Sequence, residues 1–234
     1  MHNRNKLAIQ IIIFFIGLYT AACHASFVLN GTRFIYSGDQ KNISFQITNH
    51  SKGTYGGQVW IENSDIKDHN IYFIPAPSFF SLLPSQVQID RIIKVNNNLP
   101  KNKESLFYLN VQEIPKLPKN NGNELQIAMD IRVKLIYRPI SISSGRNNAE
   151  QQVEIKYKNG RFLIENPTPY YFAITQLIIN NQTIHLSKIT TENLCVFKPY
   201  STVLLPNSIS HIHSVSFKAI NDYGENVSYK ISKA

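Results

Sequence analysis

Two cysteines are all that the 234 residues contain, and the first, Cys23, lies in an N-terminal stretch with the marks of a removable leader. Without that stretch Cys195 stands alone, so no intramolecular disulfide can form. Beside Leu194 and Val196, Cys195 reads as a buried strand residue rather than a reactive thiol. Catalytic signatures are missing as well: there is no G-x-S-x-G elbow, no H-E-x-x-H, no C-x-x-C and no Walker-type glycine loop. His211 and His213 lie two apart, which on a strand gives them one face, the minimum geometry for two metal ligands. No third ligand stands nearby, so they read as solvent-facing histidines, and the acids of "GDQ" and "NDYG" sit beside glycine as turn residues do. The chain is therefore expected to be no enzyme, with no cofactor, no metal and no bound nucleotide. Basic residues exceed acidic ones for a formal charge of +9, but they are scattered rather than run together, which excludes the usual footprint of a nucleic-acid-binding protein. Sustained helical periodicity is absent too.

What is present begins with "MHNRNK", a basic start, followed by the apolar "LAIQIIIFFIGLYTAA" and the small-residue run "AACHAS". That order is the one a secretory signal peptide shows, with cleavage after Ala25. A retained membrane anchor is the alternative, because the run borders on the length of a spanning helix. A lipidated Cys23 is not expected, since Thr20 stands three positions before it, where such cysteines usually have a branched apolar residue. Residues 1–25 are thus expected to be a signal peptide that exports the chain. Removing Arg4 and Lys6 lowers the charge from +9 to +7.

Beyond the leader, short runs rich in Val, Ile, Phe and Tyr recur between turn residues, as strands do. They predict strands near 27–36, 41–49, 57–62, 71–74, 87–95, 105–112 and 125–137, the number found in an immunoglobulin-like sandwich. Trp60, in "QVWIEN", is expected to be the core aromatic of the third strand. Arg138-Pro139 closes the last strand, since proline lacks the ladder donor and restricts its predecessor. After the polar run "SISSGRNNAEQQ", strand signals resume at "VEIKYKNGRFLIEN", "PYYFAITQLIIN", "NLCVFK", "STVLLP", "HIHSVSFKAI" and "NVSYKI". The expectation is an all-β chain of two domains, 26–142 and 143–234.

The segment "LQIAMDIRVKLIYRP" (125–139) stands out. Its odd positions Leu125, Ile127, Met129, Ile131, Val133, Leu135 and Tyr137 are all apolar, a period of two sustained over about 40 Å. Strands in globular proteins usually stop near 10 residues. Either the strand bends and is covered internally, or a partner covers the surplus face by adding a strand of its own. Periodicity alone does not separate the two.

"LNGTRFIYSGDQKNISFQITN" (29–49), "SLFYLNVQEIP" (105–115) and "IRVKLIYRP" (131–139) resemble the periplasmic chaperones of pilus assembly, the PapD-like family. "NPTPYYFAITQL" (166–177) and "INDYG" (220–224) are similar to that family's second domain, so the resemblance covers essentially the whole mature chain. It implies two immunoglobulin-like β-sandwich domains in a boomerang arrangement. The partner implied is a pilus subunit whose incomplete sandwich borrows a strand, and the loaded complex is delivered to an outer-membrane usher without ATP. On this resemblance Leu125, Ile127, Met129 and Ile131 are the donor residues that fill the subunit's groove. Arg33 and Lys134 match the cations that hold the subunit's C-terminal carboxylate, while Glu104, Arg138 and Asp222 match an ion-pair set at the domain junction. The segment "KLPKNNGNE" (116–124) resembles the short-loop class of the family, and the lone Cys195 departs from relatives that carry a disulfide in the second domain. The competing function is a secreted adhesin or surface-binding module of two immunoglobulin-like domains.

Overall fold

A computed structural model describes residues 26–116, 127–207, 209 and 211–231. The leader assigned to residues 1–25, Leu125 and nearly all of the loop 116–124 lie outside the described residues. Nine strands form the first domain: β1 (Phe27–Leu29), β2 (Arg33–Ser37), β3 (Asn42–Asn49), β4 (Tyr55–Asn63), β5 (Phe73–Ala76), β6 (Phe79–Leu82), β7 (Val87–Lys94), β8 (Ser105–Ile114) and β9 (Asp130–Arg138). They make one sheet in the order β1-β3-β7-β5 and a second in the order β2-β9-β8-β4-β6. Alternation explains the packing: Phe45 and Ile47 of β3, Ile92 of β7, Leu109 and Val111 of β8 and Leu135 of β9 all point between the sheets and are buried.

The second domain holds β10 (Glu154–Lys158), β11 (Arg161–Asn166), β12 (Ile174–Ile179), β13 (Gln182–Thr183), β14 (Ser201–Leu204), β15 (Val215–Ile220) and β16 (Asn226–Ile231). Its sheets run β10-β11-β14 and β13-β12-β15-β16, and Ile164, Leu177, Phe197 and Phe217 fill the space between them. The all-β, two-sandwich expectation holds.

Several details differ from the sequence reading. β6 (Phe79–Leu82) lies where no strand is expected, and the strand expected over 125–137 begins at Asp130, with the described residues 127–129 outside it. The single strand at 27–36 is two strands in different sheets: the chain crosses over at residues 30–32, where Asn30 Oδ1 accepts from the Gln46 amide at 2.9 Å. Trp60 is not core. Its neighbour Val59 fills the inner face opposite Val111, which turns the half-buried Trp60 outward, where its indole Nε1 donates to Glu62 Oε1 at 2.8 Å. "NLCVFK" is not a strand, because Lys188–Cys195 is a helix whose Ser187 hydroxyl caps the Thr190 amide at 3.2 Å. A short apolar run is compatible with either element, and here the capping serine and the burial of Leu194 decide for the helix. Cys195 accordingly ends a helix, half-buried, and is no buried strand residue. Finally, His211 and His213 lie in an irregular, exposed segment before β15 and do not share a strand face. Among the described residues no group of three potential metal ligands exists.

Candidate functional site

The central element is β9, whose environment changes residue by residue. β8 pairs along its whole length on one side, from Asp130 opposite Gln112 to Tyr137 opposite Ser105. On the other side β2 runs parallel to it, but only from Arg33 opposite Lys134 to Ser37 opposite Arg138. Before Lys134, that edge of β9 has no strand partner among the described residues. The ladder with β8 continues one residue beyond the strand, the Glu113 amide donating to the Met129 carbonyl at 2.9 Å.

The alternating face therefore divides in two. Leu135 and Tyr137 are buried in the first domain's core, and Ile131 and Val133 pack against it half-exposed. Ile127 and Met129 project past that core, with exposures of 68% and 45%. Internal cover thus runs from Ile131 onward, and Ile127 and Met129, which precede the strand, have none among the described residues. Of the residues assigned as donors, Ile131 touches the core, Ile127 and Met129 stand free of it, and Leu125 is not described.

Arg33 and Lys134 are direct neighbours in the parallel ladder, so two cations share one spot at the start of the covered edge. Both reach the second domain. Arg33 Nη1 donates to the Ile220 carbonyl at 2.9 Å, and Lys134 Nζ donates to the Cys195 carbonyl. A cavity of about 10 Å³ lies between them, lined by Arg33, Lys134, Leu106, Ile136, Tyr171 and Val196. Burial pushes the Lys134 ammonium down to about 8, and the adjacent Arg33 charge acts in the same direction, against a smaller opposing effect of Cys195. Burial lowers Arg33 as well, with Asp222 opposing, and its Nε is buried without a partner. This is an electropositive, partly dehydrated site that favours an anion.

Four residues further along β9, Arg138 occupies the junction. Its Nε donates to Glu104 Oε1 and its Nη1 to Asp222 Oδ2, each at 2.7 Å. The other Glu104 oxygen accepts the Tyr171 amide at 2.7 Å. Glu104, Arg138 and Asp222 are thus brought together, as the resemblance implies. Sequence reasoning missed two further members: Arg146 binds Glu150 through paired hydrogen bonds of 2.8 and 2.7 Å and reaches Asp222 at 3.1 Å. The signal was available as R-x-x-x-E in "GRNNAE", four-residue spacing inside the polar run that follows the first domain. Burial works to raise Asp222, yet the hydrogen bond from Arg138 and the charges of Arg146, Arg138 and Arg33 outweigh it and hold the carboxyl below the usual range. The chain turns beside Asp222 at Gly224, whose φ is +88° and where a Cβ would stand 2.8 Å from the Thr32 hydroxyl.

Known proteins resemble the chain along nearly its whole length. Residues 26–143 match the family model described as "Pili and flagellar-assembly chaperone, PapD N-terminal domain", and residues 148–231 match "Pili assembly chaperone PapD, C-terminal domain". The chain is 43% identical over 217 residues to "Chaperone protein FanE" of Escherichia coli, covering 93% of this chain and 95% of that one. It is 33% identical over 221 residues to "Chaperone protein FimC" of Escherichia coli strain K12, covering 92% and 87% of the two chains. Among solved structures, the periplasmic chaperone SfaE is 30% identical with a TM-score of 0.67, over 87% of this chain and 98% of that one.

Proposed function

The chain belongs to the PapD family of pilus-assembly chaperones, and from that premise we propose that it works in the periplasm, where it lends its β9 edge to a pilus subunit and passes the complex to an outer-membrane usher. The family is one of chaperones, and the adhesin reading finds no support among these relatives. Export would be through the leader assigned to residues 1–25, and the two domains would meet near residue 143, between the two matched regions.

One observation carries the reading: the cation pair Arg33 and Lys134 sits where β2 stops covering β9 and the unpaired edge begins. A chain terminus whose carboxylate binds there has its preceding residues laid against the exposed Ile127 and Met129. Main-chain bonds along the edge would supply affinity, and alternate side chains entering the partner's groove would supply specificity. Leu125, Ile127 and Met129 are the donor residues in this account, with Ile131 at the boundary where the chaperone's own core takes over. Glu104, Arg138 and Asp222, joined by Arg146 and Glu150, hold the junction.

Co-expression with an unassembled pilus subunit tests it. Wild-type protein should be recovered from periplasm with subunit in a one-to-one complex. Lys134→Ala and Arg33→Ala should fold yet lose it, since truncating one partner of a hydrogen-bonded charge pair costs about 2–5 kcal/mol of binding. Recovery of stable subunit with both variants would remove the carboxylate anchor from the account.

A further inference from the structure

Arg33 and Lys134 are both occupied in the free protein, and their acceptors all belong to the second domain. Cys195 is the last residue of its helix, so its carbonyl is one of the terminal acceptors that a helix leaves without an internal donor, at the negative end of the helix dipole. The Lys134 ammonium satisfies it. The Ile220 carbonyl ends β15, and the Arg33 guanidinium satisfies that one. The Lys134 contact lies away from the junction ions, four residues or about 13 Å along an extended strand from Arg138, whereas the Arg33 contact at Ile220 lies two residues from Asp222 and within reach of its charge. The ion cluster at Arg138 holds the junction, and the two cations add separate ties across the cleft, Arg33 beside that cluster and Lys134 farther from it. Domain interfaces within one chain permit relative motion unless something of this kind restrains them.

We propose that Arg33 and Lys134 latch the two domains together in the free protein, and that a carboxylate entering the cleft releases the latch by taking both cations from the Ile220 and Cys195 carbonyls. The release step rests on the carboxylate-anchor reading given above; the latch itself does not. An ionised acceptor binds a cation about twice as strongly as a neutral carbonyl does. A carboxylate shared by two adjacent cations also removes the repulsion between them, which neither separate carbonyl does. Exchange then favours the carboxylate, and the second domain loses two of its ties to the first at the moment the partner docks. Loading becomes visible as a change in domain motion, a difference by which free and loaded chaperone can be told apart.

Spin labels read this directly. Ser44→Cys on β3 and Lys230→Cys on β16 place labels on exposed positions of the two domains, in a Cys195→Ser background that keeps the latching carbonyl. Double electron–electron resonance on that protein should give a narrow distance distribution. Arg33→Ala combined with Lys134→Ala should broaden it roughly twofold, the behaviour of domains without a restraint. The probe for release is a synthetic peptide of alternating apolar residues with a free C-terminal carboxylate, compared with its C-terminal amide. The acid should broaden the wild-type distribution as the double variant does, and the amide should not. A double variant as narrow as wild type overturns the latch whatever the peptide does. Acid peptide that is bound, by its own fluorescence anisotropy, while the distribution stays narrow overturns the release step and leaves the anchor standing. Acid peptide that binds no better than the amide overturns the anchor and with it the release, while the variants still decide the latch.

Discussion

Alkaline pH should weaken partner binding and strengthen the fold through the same side chain. Lys134 titrates near 8 in the free protein, against an ordinary value of 10.5. A bound carboxylate raises it, so binding takes up a proton wherever the free ammonium has already lost one. Affinity for a peptide with a free C-terminal carboxylate is then about tenfold lower at pH 9 than at pH 7, and about a hundredfold lower at pH 10. Stability moves the other way. The folded value is depressed below the unfolded one, so the cost of burying the ammonium is fully present below about 8 and disappears as pH rises toward 10.5. The ceiling on that gain is about 3 kcal/mol. Titration calorimetry with the acid and amide peptides, in a Cys195→Ser background that removes the neighbouring thiol, measures the first effect. Denaturant unfolding of wild type minus Lys134→Ala, at matched pH, isolates the second. Lys134→Arg should flatten the binding profile, since a guanidinium stays charged throughout. Acid-peptide affinity that is level to pH 10, or an equal fall for the amide, would refute the argument.

Two other perturbations separate surface from core on the same architecture. Met129→Glu should leave unfolding within about 0.5 kcal/mol of wild type, because the side chain is exposed, and should abolish subunit capture by placing an unpaired charge in an apolar groove; Leu135→Ala, six residues along the same face and fully buried, should instead cost about 2–5 kcal/mol, and equal losses in a denaturant titration would contradict the division of β9. Arg146→Ala leaves Glu150 buried without its paired donors and should cost about 3–5 kcal/mol, a fall of roughly 6–20 °C in Tm that calorimetry would register, whereas a shift under 2 °C would mark the pair as dispensable.

The strands were legible because period-two alternation is imposed by burial of one face, and where burial is two-sided or absent the reading faltered. In β9 Leu135, Ile136, Tyr137 and Arg138 are all buried, since the core covers the odd positions and the second domain lies against the even ones; alternation in the sequence describes only the first of these. Trp60 was misplaced because size was weighed before parity: Val59 and Ile61 set the inward face, and the larger residue between them had to point out. The helix Lys188–Cys195 is too short to sustain a visible period, and its capping Ser187 was the better signal. Arg33, Lys134, Glu104, Arg138 and Asp222 could be named through the resemblance, but their acceptors at Ile220 and Cys195 are backbone atoms, which any residue type supplies and no sequence pattern marks.

Charge also decides which way a partner strand must run. β2 lies parallel to β9 and begins at Arg33, so a strand added to the unpaired edge occupies the slot just before it. A strand running parallel to β9 brings its C-terminus against Arg33 and Lys134, where a carboxylate meets two cations. An antiparallel strand brings an α-ammonium to the same place, a third positive charge in a site already short of water. The parallel orientation is therefore selected before any side chain is read. With the terminus fixed, Met129 lies five residues and Ile127 seven residues before Lys134, about 17 and 23 Å along the strand. A slip of one residue would turn every partner side chain to the wrong face. An anchor at Lys134 and donor positions at Ile127 and Met129, just ahead of the same strand, would convert a single charge contact into a register for the whole added strand.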